Sequence, residues 1–333
     1  MGGTAIFSHL AAPDSTLVLL IALALEAALP LSGIWRRLPH PVAVLGNVID
    51  AFDRRLNRDG RSFRNRMARG ALVTLLLTGA AYGLGYGFQW LLRSIPYGWI
   101  GEAAILIVML AQRSLFEHVR SVMRAMNFGR LDRARSAVAR IVGRDVAALD
   151  DHGVARAAIE SLAENFSDAV VAPVFWYLLL GLPGVLAFKA ISTMDSMIGH
   201  MTPRHQAFGR VAARLDTAAN FIPARLSAAI LSVAAACVPR GHPWAALVAA
   251  VRDGRKHRSV NAGYPEAAAA GALDLALGGP RRYGGEAVLD AWLGSGTAQA
   301  NVSDIRRALL LYVAACCVNA LIVAAVLYAR AYY

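Results

Sequence analysis

Three carboxylates recur at every fourth residue between Arg156 and Asp168. Glu160, Glu164 and Asp168 stand at i, i+4 and i+8, so a helix would place them on one face. Like charges at this spacing repel one another, and the repulsion grows where the dielectric is low. Arg156 can offset one carboxylate, and a divalent cation such as Mg²⁺ or a bound cationic group would offset the rest. The alternative is an ordinary salt-bridged helix start with Asp168 facing water.

Two further groups of polar residues lie close to apolar runs. Lys189 and Asp195 stand near the end of one run, where ionisable residues are candidates for function. A lysine in this position can equally extend its ammonium group to the membrane interface. The other group comprises Arg214, Asp216, Asn220 and Arg225. Asp216 and Asn220 are one helical turn apart, and the alternative reading is an Arg–Asp pair that closes a helix end.

A basic, glycine-containing loop runs from Asp253 to Arg258 and leads through Asn261 into a helix N-terminus. Backbone N–H groups and the helix dipole at such a terminus suit a phosphate, with His257 and Asn261 as polar contacts. The chain has no GxxxxGK[ST] loop, HExxH, GxSxG or dinucleotide fingerprint. The residues alone therefore indicate a carboxylate- and arginine-lined site for an anionic ligand.

Composition predicts that these residues belong to a membrane-embedded protein. The chain is 57% hydrophobic and 17% charged, with a mean hydropathy of +0.46, whereas soluble domains carry about 25% charged residues. We expect an all-α, polytopic helical membrane protein with broken or re-entrant helices and cytoplasmic helical loops, built as a single domain over residues 1–333. Its apolar runs lie near residues 16–31, 71–92, 97–111, 168–190, 224–251 and 308–329.

Two of these runs are broken near their middle. Gly181–Gly184 interrupts the run at 168–190, and Pro239–Pro243 interrupts the run at 224–251. Glycine and proline disrupt helical hydrogen bonds, and broken helices persist at membrane depth only inside protein or beside a water-filled cavity. We therefore predict two helical hairpins. We also expect a cap at Asp150-Asp151 and a short helix over Pro265–Leu277, capped by Gly278.

The formal charge of +12 is mostly arginine, and it is concentrated in the loops beside apolar runs. The positive-inside rule places the loop between the first two runs in the cytoplasm. We expect a multi-pass protein of the bacterial inner membrane whose site faces the cytoplasm. Nucleic-acid-reading motifs are absent, so we expect membrane lipid but no nucleic acid as a partner. The cysteines form no CxxC pair, and His200 and His205 lack metal-ligand spacing, so we interpret the two histidines as polar surface residues.

Several segments resemble the cobalamin biosynthesis CobD/CbiB family, the adenosylcobinamide-phosphate synthases. The similarity extends over nearly the whole chain. It is carried by RSLFEHVRSVMRAM (113–126), IVGRD (141–145), GVARAAIESLAENFSDAVVAPVFWYLLLGLPG (153–184), FKAISTMDSMIGH (188–200), FGRVAARLDTAANFIPARL (208–226), NAGYPEAAAAGAL (261–273) and LGGPRRYGG (277–285). Pro39-His40-Pro41-Val42 resembles an N-terminal landmark of the family.

The resemblance implies an ATP-dependent amide ligase with ATP and Mg²⁺ as cofactors. Such an enzyme joins a propionate carboxylate of adenosylcobyric acid, a corrinoid, to (R)-1-aminopropan-2-ol or its O-phosphate. It implies catalytic carboxylates at Glu160, Glu164, Asp168, Asp195 and Asp216, among which Glu164 and Asp168 are candidate Mg²⁺ ligands and Asp195 and Asp216 candidate general bases. The substrate- and phosphate-binding candidates are Arg156, Asn165, Lys189, Arg214, Asn220, Arg225, His257 and Asn261. Assembly as a homo-oligomer, or with other corrinoid-pathway membrane enzymes, stays open.

Some positions depart from the family pattern. Ala169 stands where glycine is usual, Ser192 where asparagine is usual, and Thr217 where a second aspartate is common. The last two remove polar contacts and leave amine specificity open. A non-catalytic membrane sensor or a small-molecule transporter has similar hydropathy and is the competing class. A transporter should show two related halves with paired broken helices, and the two predicted hairpins are unlike in sequence.

Overall fold

The computed structural model describes residues 13–29, 41–143, 145–283 and 286–332. Over these residues the chain is mostly helical, and its two sheets have two short strands each. Contacts divide it into two compact units that alternate along the sequence. Unit 1 comprises residues 1–110, 172–220 and 323–333, and unit 2 comprises residues 111–171 and 221–322. That the two units make a single domain stays a prediction.

Unit 1 contains six helices among its described residues, besides the end of a seventh. They are α1 (Ser15–Ala28), α2 (Pro41–Leu56), α3 (Phe63–Arg93), α4 (Trp99–Met109), α8 (Ala172–Ile198) and α9 (Arg210–Ala219). Two glycines let α3 approach its neighbours closely. A Cβ at Gly70 would lie 1.8 Å from the Phe208 carbonyl oxygen, and one at Gly85 would lie 2.6 Å from Pro183 Cα. Because a larger side chain would push these backbones apart, the two glycines fix the packing distance along α3.

Helix α8 is a hairpin rather than a straight rod. Gly181 has φ 67° and ψ −152°, which interrupts the helix at that residue. Ala172 and Phe188 pack in one cluster with Ala219, although a straight helix would separate them by about 24 Å. The arms before and after Gly181 therefore fold back on each other, and the sequence prediction of a broken hairpin over 168–190 is confirmed.

Unit 2 is arranged around one short helix that is almost entirely buried. Its other elements are α5 (Gln112–Asn127), α6 (Leu131–Val138), α7 (Asp151–Phe166), a π turn (Ser167–Val171), α10 (Phe221–Ala234), α11 (Pro243–Asp253), β1 (Leu277–Gly278), β2 (Arg281–Tyr283), β3 (Glu286–Val288), β4 (Trp292–Leu293) and most of α13 (Val302–Tyr332). The central helix is α12 (Gly263–Leu273), in which every residue except Tyr264 is buried. A Cβ at Gly271 would lie 2.3 Å from the Ala245 carbonyl oxygen, so α11 and α12 are in backbone contact.

The structure confirms most of the predicted elements. Four helices of the described part are long and apolar enough to cross a membrane, or five if a bent pair counts as one span. Asp150 caps α7 by accepting the Gly153 N–H at 2.7 Å, and the run at 224–251 divides into α10 and α11 as expected. The first run is a shorter helix, α1, and its predicted end at Leu31 lies outside the described residues, as do Pro39-His40 and Gly284-Gly285.

One predicted element is wrong in its bounds. The helix expected over Pro265–Leu277 is α12, which begins at Gly263 and ends at Leu273. Asp274 ends it in the left-handed conformation, with φ 58° and ψ 50°. Aspartate tolerates this conformation better than most residues, so the chain leaves the helix four residues before the glycine that was expected to cap it. Gly278 instead lies in β1.

Gly181→Ala should destabilise unit 1 by about 1–3 kcal/mol, because the Gly181 conformation is open almost only to glycine. The new Cβ would also lie 2.2 Å from Gln89 Oε1. Thermal unfolding of the detergent-solubilised protein, followed by circular dichroism, measures the change. Gly87→Ala is the matched control, since its Cβ meets nothing within 4 Å. An unfolding temperature as high in Gly181→Ala as in Gly87→Ala would contradict the hairpin account.

Candidate functional site

The carboxylates of α7 occupy different environments rather than one exposed face. Glu160 is 4% exposed, and its Oε1 accepts the Gly278 N–H at 2.8 Å. Glu164, one turn later, is exposed. Arg156 Nη1 donates to the Ala298 carbonyl, and its guanidinium lies 5.6 Å from the centre of the Trp292 ring. Glu160 and Glu164 do stand one turn apart on α7, but their surroundings differ: Glu160 is buried beside the β1 backbone, while Glu164 is exposed.

Asp168 lies in a π turn, which the sequence did not predict. Residues Ser167–Val171 have the wider π-helical turn between α7 and α8, so Asp168 is displaced from the α-helical spacing of Glu160 and Glu164. The Ser167 hydroxyl is buried, and no hydrogen-bond partner is found for it among the described residues. Asn165 Nδ2 donates to the Ser161 carbonyl at 2.9 Å. Single π turns of this kind occur frequently at functional sites.

The donor set at this turn fits Mg²⁺ in kind and in number. Mg²⁺ prefers oxygen ligands and is usually held by one or two carboxylates, with water and substrate phosphates completing the octahedron. Glu164 is exposed, Asp168 is half-buried, and the buried Ser167 hydroxyl is a third oxygen of the same turn. No group of three or more His, Cys, Asp or Glu residues suited to a metal occurs in the described part of the chain. A site with two carboxylates, completed by water and substrate phosphates, is compatible with these residues.

The candidates of unit 1 lie on the second arm of the α8 hairpin and on α9. Lys189 and Asp195 are both half-buried, and the Asp195 carboxylate lies beside Gly199, whose Cβ would come 2.0 Å from Oδ1. Asp216 Oδ2 accepts from Asn220 Nδ2 at 3.1 Å, which confirms the expected one-turn pair. Arg214, on the same helix, is exposed. Unit 1 therefore carries an ammonium, a guanidinium and two aspartates within its own candidate set.

A buried carboxylate that sequence reasoning missed lies in the same unit. Asp53, on α2, is 5% exposed and accepts from Arg204 Nη2 at 2.6 Å and from Asn57 Nδ2 at 2.7 Å. His205 Nε2 lies 3.5 Å from Asp53 Oδ2, so His205 is not the surface residue we expected. Burial opposes ionisation of Asp53, but hydrogen bonds from Asn57 and Arg204 outweigh it and hold its pKa below the usual range. This network ties the loop before α9 to α2.

In unit 2, Arg225 lies against two aromatic rings and contacts Asn261, one candidate of the basic loop. Its guanidinium lies 3.6 Å from the Phe221 ring centre and 4.1 Å from that of Tyr264, and its Nη1 donates to Asn261 Oδ1 at 3.0 Å. His257 Nε2 lies 3.7 Å from Glu266 Oε1. The hydrogen bond from Arg255 is the main cause that holds the pKa of Tyr264 below its usual range. The structure thus brings Arg225 and Asn261 together, with a guanidinium pre-oriented between two rings.

Asp253 organises the basic loop, and sequence reasoning gave it no such role. It is 1% exposed, and it accepts from Arg252 Nη2 at 2.5 Å, Lys256 Nζ at 2.8 Å and the Gly294 N–H at 2.9 Å. Burial alone would raise its pKa, but the hydrogen bonds from Arg252, Lys256 and Gly294 outweigh burial and hold the pKa far below the usual range. Two cations around one carboxylate leave a surplus positive charge at the loop, as a phosphate site requires.

The predicted residues are therefore distributed between the two units. Unit 1 carries Lys189, Asp195, Arg214, Asp216 and Asn220, and unit 2 carries Arg156, Glu160, Glu164, Asn165, Asp168, Arg225, His257 and Asn261. Their individual roles stay predictions. The residues that were missed, Asp53 and Asp253, are isolated aspartates in sequence, and the only signal for them was their position beside arginine-rich stretches.

Known proteins resemble this chain over most of its length. A family profile described as CobD/Cbib protein matches residues 19–312. A "Cobalamin biosynthesis protein CobD" from Sinorhizobium is 47% identical over 314 residues, which cover 92% of this chain and 97% of the relative. Proteins with the same name from Brucella anthropi and Rhodobacter capsulatus are 45% and 42% identical, cover 84% and 89% of this chain, and are themselves covered to 86% and 92%. No solved structure matches the chain significantly.

Asp253→Asn should lower the free energy of unfolding by roughly 1–3 kcal/mol at neutral pH, because a buried charged acceptor is lost. Because the pKa of Asp253 is lower in the folded than in the unfolded protein, its carboxylate stabilises the fold at pH values above the pKa of an ordinary aspartate. This contribution is lost as the pH falls towards the folded-state pKa. The stability difference between wild type and variant should therefore hold at neutral pH and shrink below about pH 4. Thermal unfolding at stepped pH measures it, with the exposed Asp132→Asn as control. A difference that does not change with pH would contradict the assignment.

Proposed function

The chain belongs to the CobD/CbiB family of cobalamin biosynthesis proteins, and we propose that it is an ATP-dependent amide ligase of the bacterial inner membrane. It joins a propionate carboxylate of adenosylcobyric acid to (R)-1-aminopropan-2-ol or its O-phosphate, on the cytoplasmic side. The observation that carries the proposal is the π turn after α7, where Glu164 and Asp168 flank a buried Ser167 hydroxyl. Two accessible carboxylates beside a widened turn suit a site that binds Mg²⁺ and phosphate better than they suit a helix that only packs against other helices in the membrane.

In this proposal, residues of unit 2 bind the nucleotide and its Mg²⁺ ion. Glu164 and Asp168 would hold Mg²⁺, which when bound neutralises charge on phosphate oxygens. Arg225 presents a fixed guanidinium to a phosphate, because Phe221 and Tyr264 restrict its orientation and Asn261 accepts one of its N–H groups. Such preorganisation avoids the cost of ordering a long side chain when the ligand binds. His257 is a further polar contact of the same loop, and Arg156 and Asn165 are supporting contacts along α7.

Residues of unit 1 serve the corrinoid and the amine. Lys189 and Arg214 bind carboxylates of the corrinoid, and Asn220 orients Asp216 through the 3.1 Å hydrogen bond. In the coupling step the amine nitrogen attacks the activated carbonyl carbon, a C–N bond forms, and the activating phosphate or adenylate leaves with its electron pair. The proton released by the nitrogen goes to a carboxylate, for which Asp195 and Asp216 are the candidates.

The reaction is tested directly with the purified, detergent-solubilised protein. It is incubated with adenosylcobyric acid, Mg-ATP and either aminopropanol or its O-phosphate, and the corrinoid is analysed by mass spectrometry. We expect one amide product per turnover, and the formation of ADP or of AMP identifies the activation route. No corrinoid product with either amine would contradict the proposal and favour a non-catalytic membrane protein.

Glu164→Gln, Asp168→Asn, Asp195→Asn and Asp216→Asn should each lower the ligation rate by about 100-fold or more, as expected when a metal ligand or general base is lost. Steady-state rates measure this, with the amount of protein in the membrane as a check on folding. Asp132→Asn is the control, because Asp132 is 98% exposed. For a general base, the rate of the variant should also lose its dependence on pH. Near-normal turnover in all four variants would disprove the assigned roles.

A further inference from the structure

A cluster of arginines lies at the start of the membrane-spanning helix α3 and contains none of the candidate site residues. Arg58 and Arg61 lie in the turn between α2 and α3, and Arg69 lies in the second turn of α3. Partial desolvation, followed by repulsion from Arg69 and Arg58, holds the pKa of Arg61 below its usual range. The three guanidiniums therefore act on one another, and we call them the α2–α3 arginine patch.

Two guanidiniums of the patch are oriented by neutral oxygens rather than by carboxylates. Arg61 Nη1 donates to the Leu56 carbonyl at 2.5 Å, and Arg69 Nε donates to Asn65 Oδ1 at 2.8 Å. No ion pair to Arg58, Arg61 or Arg69 is found among the residues that the structure describes. The hydrogen bonds thus restrict two long side chains while leaving their positive charge uncompensated, which preorganises the patch for an anion.

The acidic residues nearest to the patch in sequence have other partners. The buried carboxylate of Asp53 accepts two hydrogen bonds from Arg204, at 2.9 Å and 2.6 Å. Asp59 has a side chain that is 86% exposed, and its Oδ1 lies 3.9 Å from Arg66 Nη1. Because neither carboxylate pairs with the patch, an anion from outside the protein can supply the counter-charge.

An exposed apolar face of α3 begins one turn beyond the patch. Leu72 and Leu76 are 62% and 53% exposed and follow Arg69 at i+3 and i+7, so all three lie on one side of the helix. Gly79 is exposed on the same side, and a Cβ there would meet nothing within 4 Å among the described residues. This side of α3 therefore has a shallow apolar groove. It ends about 15 Å from Arg69, which is close to the hydrocarbon thickness of one leaflet.

We propose that the α2–α3 arginine patch and this groove together bind one anionic phospholipid of the leaflet at this end of α3. The phosphodiester pairs with Arg61 and Arg69, Arg58 adds to the positive field, and an acyl chain lies in the groove beside Gly79. A soluble phosphate would satisfy the arginines alone, and a zwitterionic lipid would bring its own cation to the patch. This binding depends on the membrane-spanning fold and not on the proposed ligation.

Native mass spectrometry of the full-length protein measures lipid binding directly. The delipidated protein in detergent is titrated with phosphatidylglycerol, with phosphatidylcholine of the same acyl chains, and with glycerophosphoglycerol, which is the headgroup without chains. We expect phosphatidylglycerol to bind at least about tenfold more tightly than the other two, because only it satisfies both the arginines and the groove. Equal binding of phosphatidylcholine would overturn the choice of an anion, and equal binding of glycerophosphoglycerol would overturn the choice of a lipid.

Charge variants locate the headgroup. Arg61→Gln and Arg69→Gln should each weaken the binding of phosphatidylglycerol by about fivefold or more. Arg54→Gln is the matched control, because it removes the same charge from an exposed arginine of the same segment that pairs with Asp50, and it should leave binding unchanged. An equal loss in all three variants would mean that binding follows net charge alone and would overturn the proposal. Wild-type binding in both patch variants would overturn it as well.

Groove variants locate the acyl chain. Gly79→Leu fills the groove and should weaken the binding of phosphatidylglycerol by about fivefold or more. Gly87→Leu is its control, because a Cβ at Gly87 also meets nothing within 4 Å, but Gly87 lies about 12 Å farther along α3, in the opposite leaflet. Equal weakening by both variants, or none by Gly79→Leu, would contradict the groove. A lipid-free dimer that Gly79→Leu abolishes would instead assign this face to a second copy of the chain.

Discussion

The structure depends on one requirement of the bilayer interior, where every backbone N–H and C=O group must find a partner within the protein. At Gly181 the helix α8 is interrupted, and the Leu182 N–H donates to Gln89 Oε1 at 2.9 Å. The Leu178 carbonyl, four residues before Leu182, accepts from Arg330 Nη2 at 3.5 Å. Side chains of α3 and α13 thus replace the helical hydrogen bond that the break removes. The second arm of the hairpin, which carries the Lys189 and Asp195 candidates, takes its direction from this replacement.

Buried charges outside the hairpin meet a related requirement, because a buried charge must be paired and hydrogen-bonded. Asp53 in unit 1 and Asp253 in unit 2 are each buried, and each is surrounded by donors from more than one segment. Removing such a carboxylate would leave its cationic partners without an acceptor, which is strongly destabilising. A buried ion pair can therefore hold two segments together even where it adds little net stability. Asp53 holds the loop before α9, and Asp253 holds the basic loop before α12. Both loops adjoin candidate site residues, so these carboxylates hold the backbone next to those candidates.

The sequence was sufficient for features that depend on local residue type. Gly181 and the Pro239–Pro243 segment mark helix breaks, and Asp150 marks a helix start, because glycine, proline and capping aspartate act within a few residues. Features that depend on distant partners could not be predicted. Glu160 is buried because it accepts a hydrogen bond from Gly278, 118 residues away. The π turn at Ser167–Val171 is a change in backbone hydrogen-bond register, and residue periodicity does not encode it.

Hydrogen exchange at the break in α8 is the most direct test of this account. Gln89→Leu removes the side-chain acceptor of the Leu182 N–H, and mass spectrometry measures amide exchange in the wild type and in the variant. We predict faster exchange around Leu182 and along the arm towards Lys189, with exchange in α12 unchanged. The control is Trp90→Leu, an exposed neighbour on the same helix. Wild-type exchange rates around Leu182 in Gln89→Leu would contradict the claim that this hydrogen bond holds the hairpin.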